Sequence, residues 1–321
     1  MDFLFVAGGL LLLFTGGDFL VRGSVALAHR LGISTLLIAL TVVAFGTSAP
    51  ELIVSVEAAL LGATELAIGN IVGSNIANVL LVLGLPAVIA PIGAGAGSAR
   101  RDLALLFAVS VAATALCWNG TIAAWEGAVM LAALLLYLLA SYRLARRDAA
   151  SAKIYAEELE EFESGPQRLW WVVFFVVGGL VALFVGSRLL IHGAVSIATA
   201  IGISESVIGL TLVAFGTSLP EIVTSLVALL RKHADVAIGN VLGSNLFNLL
   251  GVGGITALVA PISVPERMLM FDFPIMIGAV IVLSPFILWQ LRFGRVVGTA
   301  FVSLYVLYVW SQFAGLSGSP A

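Results

Sequence analysis

The sequence predicts an all-α polytopic membrane protein: ten transmembrane helices arranged as two inverted-topology five-helix repeats. Three observations predict it. Of 321 residues, 61% are hydrophobic and only 10% charged, against about 25% charged in soluble domains. The apolar residues gather in runs close to the roughly 20 residues that a bilayer-crossing helix needs. Motifs of the first half return in the second at a shift of 170 residues. A soluble globular enzyme is thereby excluded. With fifteen Lys and Arg against eighteen Asp and Glu, net charge -3, and no basic face, so is a nucleic-acid partner. The single cysteine, Cys117, has no CxxC partner and cannot form an internal disulfide.

The first apolar run, 3–21, lacks a basic n-region and a small-residue cleavage site, so it reads as a retained helix. Asp18 and Arg22, four residues apart at its end, read as a local interfacial pair. The second run, 33–61, is interrupted by Pro50, and the third, 66–92, carries Ser74 and Asn78. Runs 103–119 and 121–142 are flanked by Trp118 and Trp125, which suit interfacial anchors. A charged stretch, 146–168, then reads as a cytoplasmic, solvated linker, too short for a folded regulatory domain. Runs 169–190, 203–230, 236–262, 269–290 and 296–314 complete the ten. The predicted organisation is therefore a first repeat over 1–145, the linker, and a second, inverted repeat over 169–321.

The repeat is read from the residues themselves. Thr41 to Glu51 (TVVAFGTSAPE) and Thr211 to Glu221 (TLVAFGTSLPE) agree at nine of eleven positions. Ala67 to Asn78 (AIGNIVGSNIAN) answers Ala237 to Asn248 (AIGNVLGSNLFN), and Ala90-Pro91-Ile92 answers Ala260-Pro261-Ile262. Five spans per copy is an odd number, so the second copy enters the membrane inverted. Assigning each Lys and Arg by loop parity places thirteen on one side and two, Arg188 and Arg267, on the other. By the positive-inside rule both termini lie outside the cytoplasm. Inverted repeats with interrupted helices at the midplane are the plan of secondary transporters.

Proline donates no N–H and clashes with the carbonyl four residues back, so Pro50 and Pro220 should break their helices and free carbonyls near Gly46 and Gly216. Ala44, Thr47, Ser48 and Glu51 share one helical stripe, and Ala214, Thr217, Ser218 and Glu221 repeat it. Ser74 with Asn78, and Ser244 with Asn248, add polar pairs four residues apart on glycine-containing runs. Four helices thus converge on one pocket of carbonyl, hydroxyl, amide and carboxylate oxygens. A carboxylate at the bilayer centre costs at least ~2.5 kcal/mol on insertion scales, so Glu51 and Glu221 there call for cations or protons. Oxygen donors suit hard cations such as Ca2+, not the soft metals that thiolate and imidazole hold. One Ca2+ or two monovalent cations neutralise two carboxylates, and competition for the same oxygens is antiport. The glycine-rich first and sixth helices are the candidates to rock against the rest. Asn70, Asn75, Asn240 and Asn245 read as groups that satisfy broken backbone. Glu57, Glu65, Glu126, Glu205 and Asp272 read as solvated mouths.

Both G-T-S-x-P-E motifs and both G-N-x-x-G-S-N-x-x-N motifs resemble those of the compact prokaryotic sodium/calcium exchangers of the cation/calcium antiporter superfamily, and the duplicated plan covers essentially the whole chain. The resemblance implies that Glu51 and Glu221 are the central Ca2+ carboxylates. It implies that Thr47, Ser48, Ser74, Thr217, Ser218 and Ser244, with the Ala44 and Ala214 carbonyls, line flanking Na+ sites, and that Asn78 and Asn248 complete the central layer. Ca2+ and Na+ are then transported cargo, with no cofactor and no catalytic residue. Many relatives carry Asp at the position of Asn248, and potassium-dependent ones have acids at both amide positions, so a K+ requirement is not expected. The proton/calcium branch, the alternative, typically has an acid soon after Gly-Asn, where this chain has Ile71-Val72-Gly73 and Val241-Leu242-Gly243. An intramembrane hydrolase would need a His or Lys at midplane depth to activate Ser48 or Ser218. A channel would need a repeat around a rotational axis. One chain supplies both halves of the pocket, so a monomer suffices for transport in the cell's inner (plasma) membrane.

Overall fold

The computed structural model describes residues 2–92, 99–147, 168–200 and 214–313. The linker expected over 146–168, the first half of the seventh run and Glu205 lie largely outside them. The described chain is almost wholly helical. α1 (Asp2–Leu31) leads into a bent pair, α2 (Thr35–Thr47) and α3 (Ala49–Leu60), which meet at 44°. α4 (Thr64–Ile89), α5 (Ala99–Leu116) and α6 (Ala124–Arg147) follow. After the linker come α7 (Leu169–Ala200), the short α8 (Ala214–Thr217) and α9 (Leu219–Leu230). α10 (Ala234–Val259), α11 (Met268–Leu288) and α12 (Arg295–Phe313) end the chain. Seven of the described helices are long and apolar enough to cross a membrane, or eight when the bent pair is taken as one span. Ten is not reached by this count: α9 has only 12 residues without the segment before it, and α12 is not among the seven.

Two boundaries differ from the apolar runs. α1 runs on to Leu31 and α7 to Ala200, about ten residues past the expected ends. A charge ends an apolar run without ending a helix. Asp18 and Arg22 stay on α1, paired at 3.0 Å, and the helix passes through them.

Glycine sets the packing, because lipid removes the hydrophobic drive between helices and leaves close contact to hold them. Gly9, Gly16 and Gly23 recur every seven residues on α1, and Gly179, Gly186 and Gly193 do so on α7. The two helices run antiparallel with these rows against each other. A Cβ on Gly9 would lie 2.8 Å from the Gly186 carbonyl, and one on Gly179 would lie 2.8 Å from the Gly16 carbonyl.

Contacts on the two halves echo one another. Gly84 of α4 meets Gly298 of α12, and its counterpart Gly254 of α10 meets Gly127 of α6. Ile92 pairs with Phe293 through two backbone hydrogen bonds of 2.9 and 3.3 Å. Its counterpart Ile262 sits in β2 (Ile262–Ser263), antiparallel to β1 (Thr121–Ile122).

Candidate functional site

The site is built around the two helix breaks. Ser48 (φ -85°, ψ 6°) and Ser218 (φ -85°, ψ 0°) hold almost the same bridge-region conformation. Pro50 and Pro220 follow in the first turn of α3 and α9, where the missing N–H costs those half-helices no bond of their own but gives no donor to the carbonyl four residues back, Gly46 or Gly216. That turn also carries Glu51 and Glu221, placing each carboxylate at the positive end of a half-helix, where its own backbone N–H bonds to it. Glu51 is 1% exposed and Glu221 0%.

Each carboxylate is met by hydroxyls of the opposite half. The Ser48 hydroxyl donates to Glu221 Oε1 at 3.4 Å, and the Thr47 hydroxyl stands near the same carboxylate. Thr217 reciprocates on Glu51. The two acids lie close enough for the charge on Glu51 to act on Glu221. The Ser48–Glu221 bond joins the two breaks, since Ser48 stands three residues before Glu51.

Of the four asparagines expected to satisfy broken backbone, Asn70 and Asn240 do so, whereas Asn75 donates to Ile71 of its own helix (2.7 Å) and Asn245 Oδ1 has no partner among the described residues. Asn70 Nδ2 donates to the Glu51 carbonyl (3.1 Å) and to Ser55 Oγ (2.9 Å). Asn240 Nδ2 makes the equivalent bonds to the Glu221 carbonyl (3.5 Å) and Ser225 Oγ (3.3 Å). Asn240 further accepts from Thr47 Oγ1 at 3.2 Å, joining the halves. This crossing depends on Gly243, one turn from Asn240: a Cβ there would lie 2.5 Å from the Leu40 carbonyl and 2.8 Å from Ala44 Cβ. Ser55 and Ser225 were not singled out from sequence, although both stand four residues after their glutamate at the repeat shift.

Asn78 and Asn248 are each 1% exposed, and none of their side-chain N or O atoms has a hydrogen-bond partner among the described residues. Glu51 Oε2, Glu221 Oε2 and Ser244 Oγ are buried and unpartnered in the same sense. Buried polar groups ordinarily find partners, so these atoms are candidates to receive a polar guest. Asn78 opens a π turn, Asn78–Val82, and Asn248 lies in another, Phe247–Val252. Such turns recur at functional sites; they were missed because the apolar period gives no sign of one extra residue in a turn. Ser74 is buried on α4, four residues before Asn78.

One expectation needs narrowing. The Ala44 carbonyl is not free: it accepts from Ser48 N–H (3.0 Å) and Thr47 Oγ1 (3.4 Å). The break lies at Ser48, later than the sequence stripe suggests, so that α-helical bond survives. Ala214 falls at the start of α8. Two of the acids expected at solvated mouths are buried instead: Glu126 (4% exposed) accepts from Ala123 N–H at 2.7 Å, capping α6. Asp272 (3%) accepts from Tyr308 (2.9 Å) and Gln312 (2.7 Å) of α12. Glu57 and Glu65 are exposed.

Among the described residues no three His, Cys, Asp or Glu side chains gather as a metal cluster. The donors at the breaks are two carboxylates, hydroxyls and amides, a hard-oxygen set.

A family model described as sodium/calcium exchanger protein matches residues 1–143 and 171–314. The chain is 30% identical to the sodium/calcium exchanger MaX1 of Methanosarcina acetivorans, over 96% of this chain and 97% of that one. It is 33% identical to the inner membrane protein YrbG of Escherichia coli (strain K12), over 94% and 93%. A solved structure of the sodium-calcium exchanger NCX_Mj, soaked without Na+ and Ca2+, superposes with a TM-score of 0.83 at 30% identity, covering 97% of this chain and 98% of that one.

Proposed function

Because this chain belongs to the sodium/calcium exchanger family, we propose that it is a secondary active antiporter, exchanging Na+ for Ca2+ across the membrane by alternating access at a midplane site. The observation that carries this reading is the reciprocal pair of buried carboxylates, each held by hydroxyls of the other half, with one oxygen of each left unpartnered. In this reading Glu51 and Glu221 hold Ca2+, and Asn78 and Asn248 complete its layer. Thr47, Ser48, Ser74, Thr217, Ser218 and Ser244, with the carbonyl of Ala214, take Na+. With both carboxylates ionised, the empty pocket is doubly negative and resists crossing the apolar barrier, so loaded states alternate and the two fluxes are coupled.

The architecture we propose is ten spans in two inverted repeats, 1–145 and 169–321, joined by the 146–168 linker, with both termini outside the cytoplasm. The paired contacts Gly84–Gly298 and Gly254–Gly127 support the repeat. The Ile92–Phe293 and β1–β2 pairings support the number of spans between these loops, because each joins two loops that loop parity places on the same side.

The test is flux in vesicles reconstituted with the purified protein. An outward Na+ gradient drives Ca2+ uptake, and Glu51→Gln or Glu221→Gln abolishes it. Uptake that follows a pH gradient and ignores Na+ would replace this reading with H+/Ca2+ exchange.

A further inference from the structure

A hydroxyl on an apolar helix ordinarily donates to the carbonyl four residues back. Thr15, Thr41, Ser110, Thr114 and Ser284 all do so here. Ser187, midway along α7, does not. Its Oγ leaves its own helix and donates to the Gly216 carbonyl at 2.8 Å, and the side chain is buried. Gly216 stands four residues before Pro220, so its carbonyl is the one the proline cannot serve. α7 supplies the missing donor.

The first half has no such donor at the equivalent place. The residue 170 positions before Ser187 is Gly17, and a Cβ there would lie 3.2 Å and 3.3 Å from methyl groups of Val223 and Val227. Leu180 and Ile191, seven residues before and four after Ser187, share its face of α7. They fill the space over Gly46 and Gly216, so a side chain at either glycine would meet them. One face of one helix therefore covers both breaks, and among the described residues the side-chain hydrogen bond from that face goes to the second.

We propose that Ser187 is a positioning residue for Na+ on the Gly216 side of the exchange site. By holding the Gly216 carbonyl it fixes the turn that presents Thr217 and Ser218, leaves that carbonyl's second lone pair for a cation, and makes the two half-sites unequal. This inference rests on the exchange function proposed above. Without the hydroxyl the turn must be ordered when Na+ binds, and affinity falls by what one net hydrogen bond supports, about threefold to tenfold. Ca2+, held chiefly by the two carboxylates, is affected less than about twofold on the same reasoning.

The experiment measures half-saturating Na+ and Ca2+ and maximal flux in reconstituted vesicles for wild type, Ser187→Ala, and the isosteric pair Ser187→Thr and Ser187→Val, with thermal melting of each as a control. Expected is a raised Na+ half-saturation in Ser187→Ala and Ser187→Val, near-normal values in Ser187→Thr, and little change for Ca2+. Wild-type Na+ half-saturation in Ser187→Ala overturns the inference and leaves the exchange function standing, as does equal impairment of the Thr and Val variants. Should Ser187→Ala fail to fold, the Thr and Val pair decides, since the two differ in the hydroxyl alone. Wild-type vesicles that show no exchange overturn the function and this inference together.

Discussion

At the scale of the residue, the problem is two acids in a place where a lone carboxylate costs at least ~2.5 kcal/mol. Glu51 and Glu221 meet it with what is nearby: a half-helix N-terminus, their own N–H groups, and hydroxyls from the other half. These partners leave Oε2 of each carboxylate unbonded among the described residues. A cation there binds the folded state and not the unfolded chain, so Ca2+ at 100 times its dissociation constant stabilises by about 2.7 kcal/mol. We expect Ca2+ to raise the melting temperature of the wild type in detergent and to leave that of Glu221→Gln unmoved; equal shifts in both would remove Glu221 from the site. Asn248→Asp adds a third acid to a buried pocket, and its expected effect is on ion stoichiometry or the pH dependence of flux more than on folding. Unchanged transport by a well-folded Asn248→Asp would count against that amide lining the site. The sequence made the glutamates, Thr47, Thr217, Ser48 and the bracing roles of Asn70 and Asn240 legible, because identical residues recur at a constant shift. Ser187 was not legible, because its counterpart is a glycine and repetition points away from it.

At the scale of the element, breaks and glycines do the positioning. Pro50 and Pro220 located both breaks, and the 44° bend between α2 and α3 follows. The π turns were hidden because the apolar period does not record one extra residue in a turn, and the true ends of α1 and α7 because a charge ends an apolar run without ending a helix. Asp18 illustrates this. Sequence spacing pairs it with Arg22, and the fold adds Arg231, at the end of α9, which bonds to the same carboxylate. The pair ties α1 to the second half where both side chains are partly exposed, so Asp18→Asn should cost no more than about 1 kcal/mol of stability. If α1 moves during exchange, Asp18→Asn should change the flux rate more than the melting temperature; the reverse ranking would make the ion pair a simple clamp. Gly243→Ala is expected to be harsher, because the new methyl meets the Leu40 backbone and not a side chain that can turn aside. A loss of about 1–3 kcal/mol is the range for such overpacking, read as a lowered melting temperature, and a neutral Gly243→Ala would mean that α10 does not press on α2.

At the scale of the whole molecule, one contact pattern used twice does most of the organising. Gly84 on Gly298 and Gly254 on Gly127 close the last helix of each half over an inner helix of the other. Ile92 and Ile262 then anchor equivalent loops through backbone pairing. The repeat was plain in the sequence because the inner helices carry matching motifs, whereas these outer contacts were not, since glycines on α6 and α12 stand in no shared motif. The proposed orientation predicts that, in a Cys117→Ser background, a cysteine at Thr121 labels with an impermeant reagent from outside intact cells and one at Arg292 only after permeabilisation. Labelling of both from one side would contradict an inverted pair.

The most direct measurement is an anomalous difference map from crystals grown with Ca2+. The account predicts one peak, with carboxylate oxygens of both Glu51 and Glu221 at about 2.3–2.6 Å. A peak held by one half alone, or no peak between the two glutamates at saturating Ca2+, would contradict it.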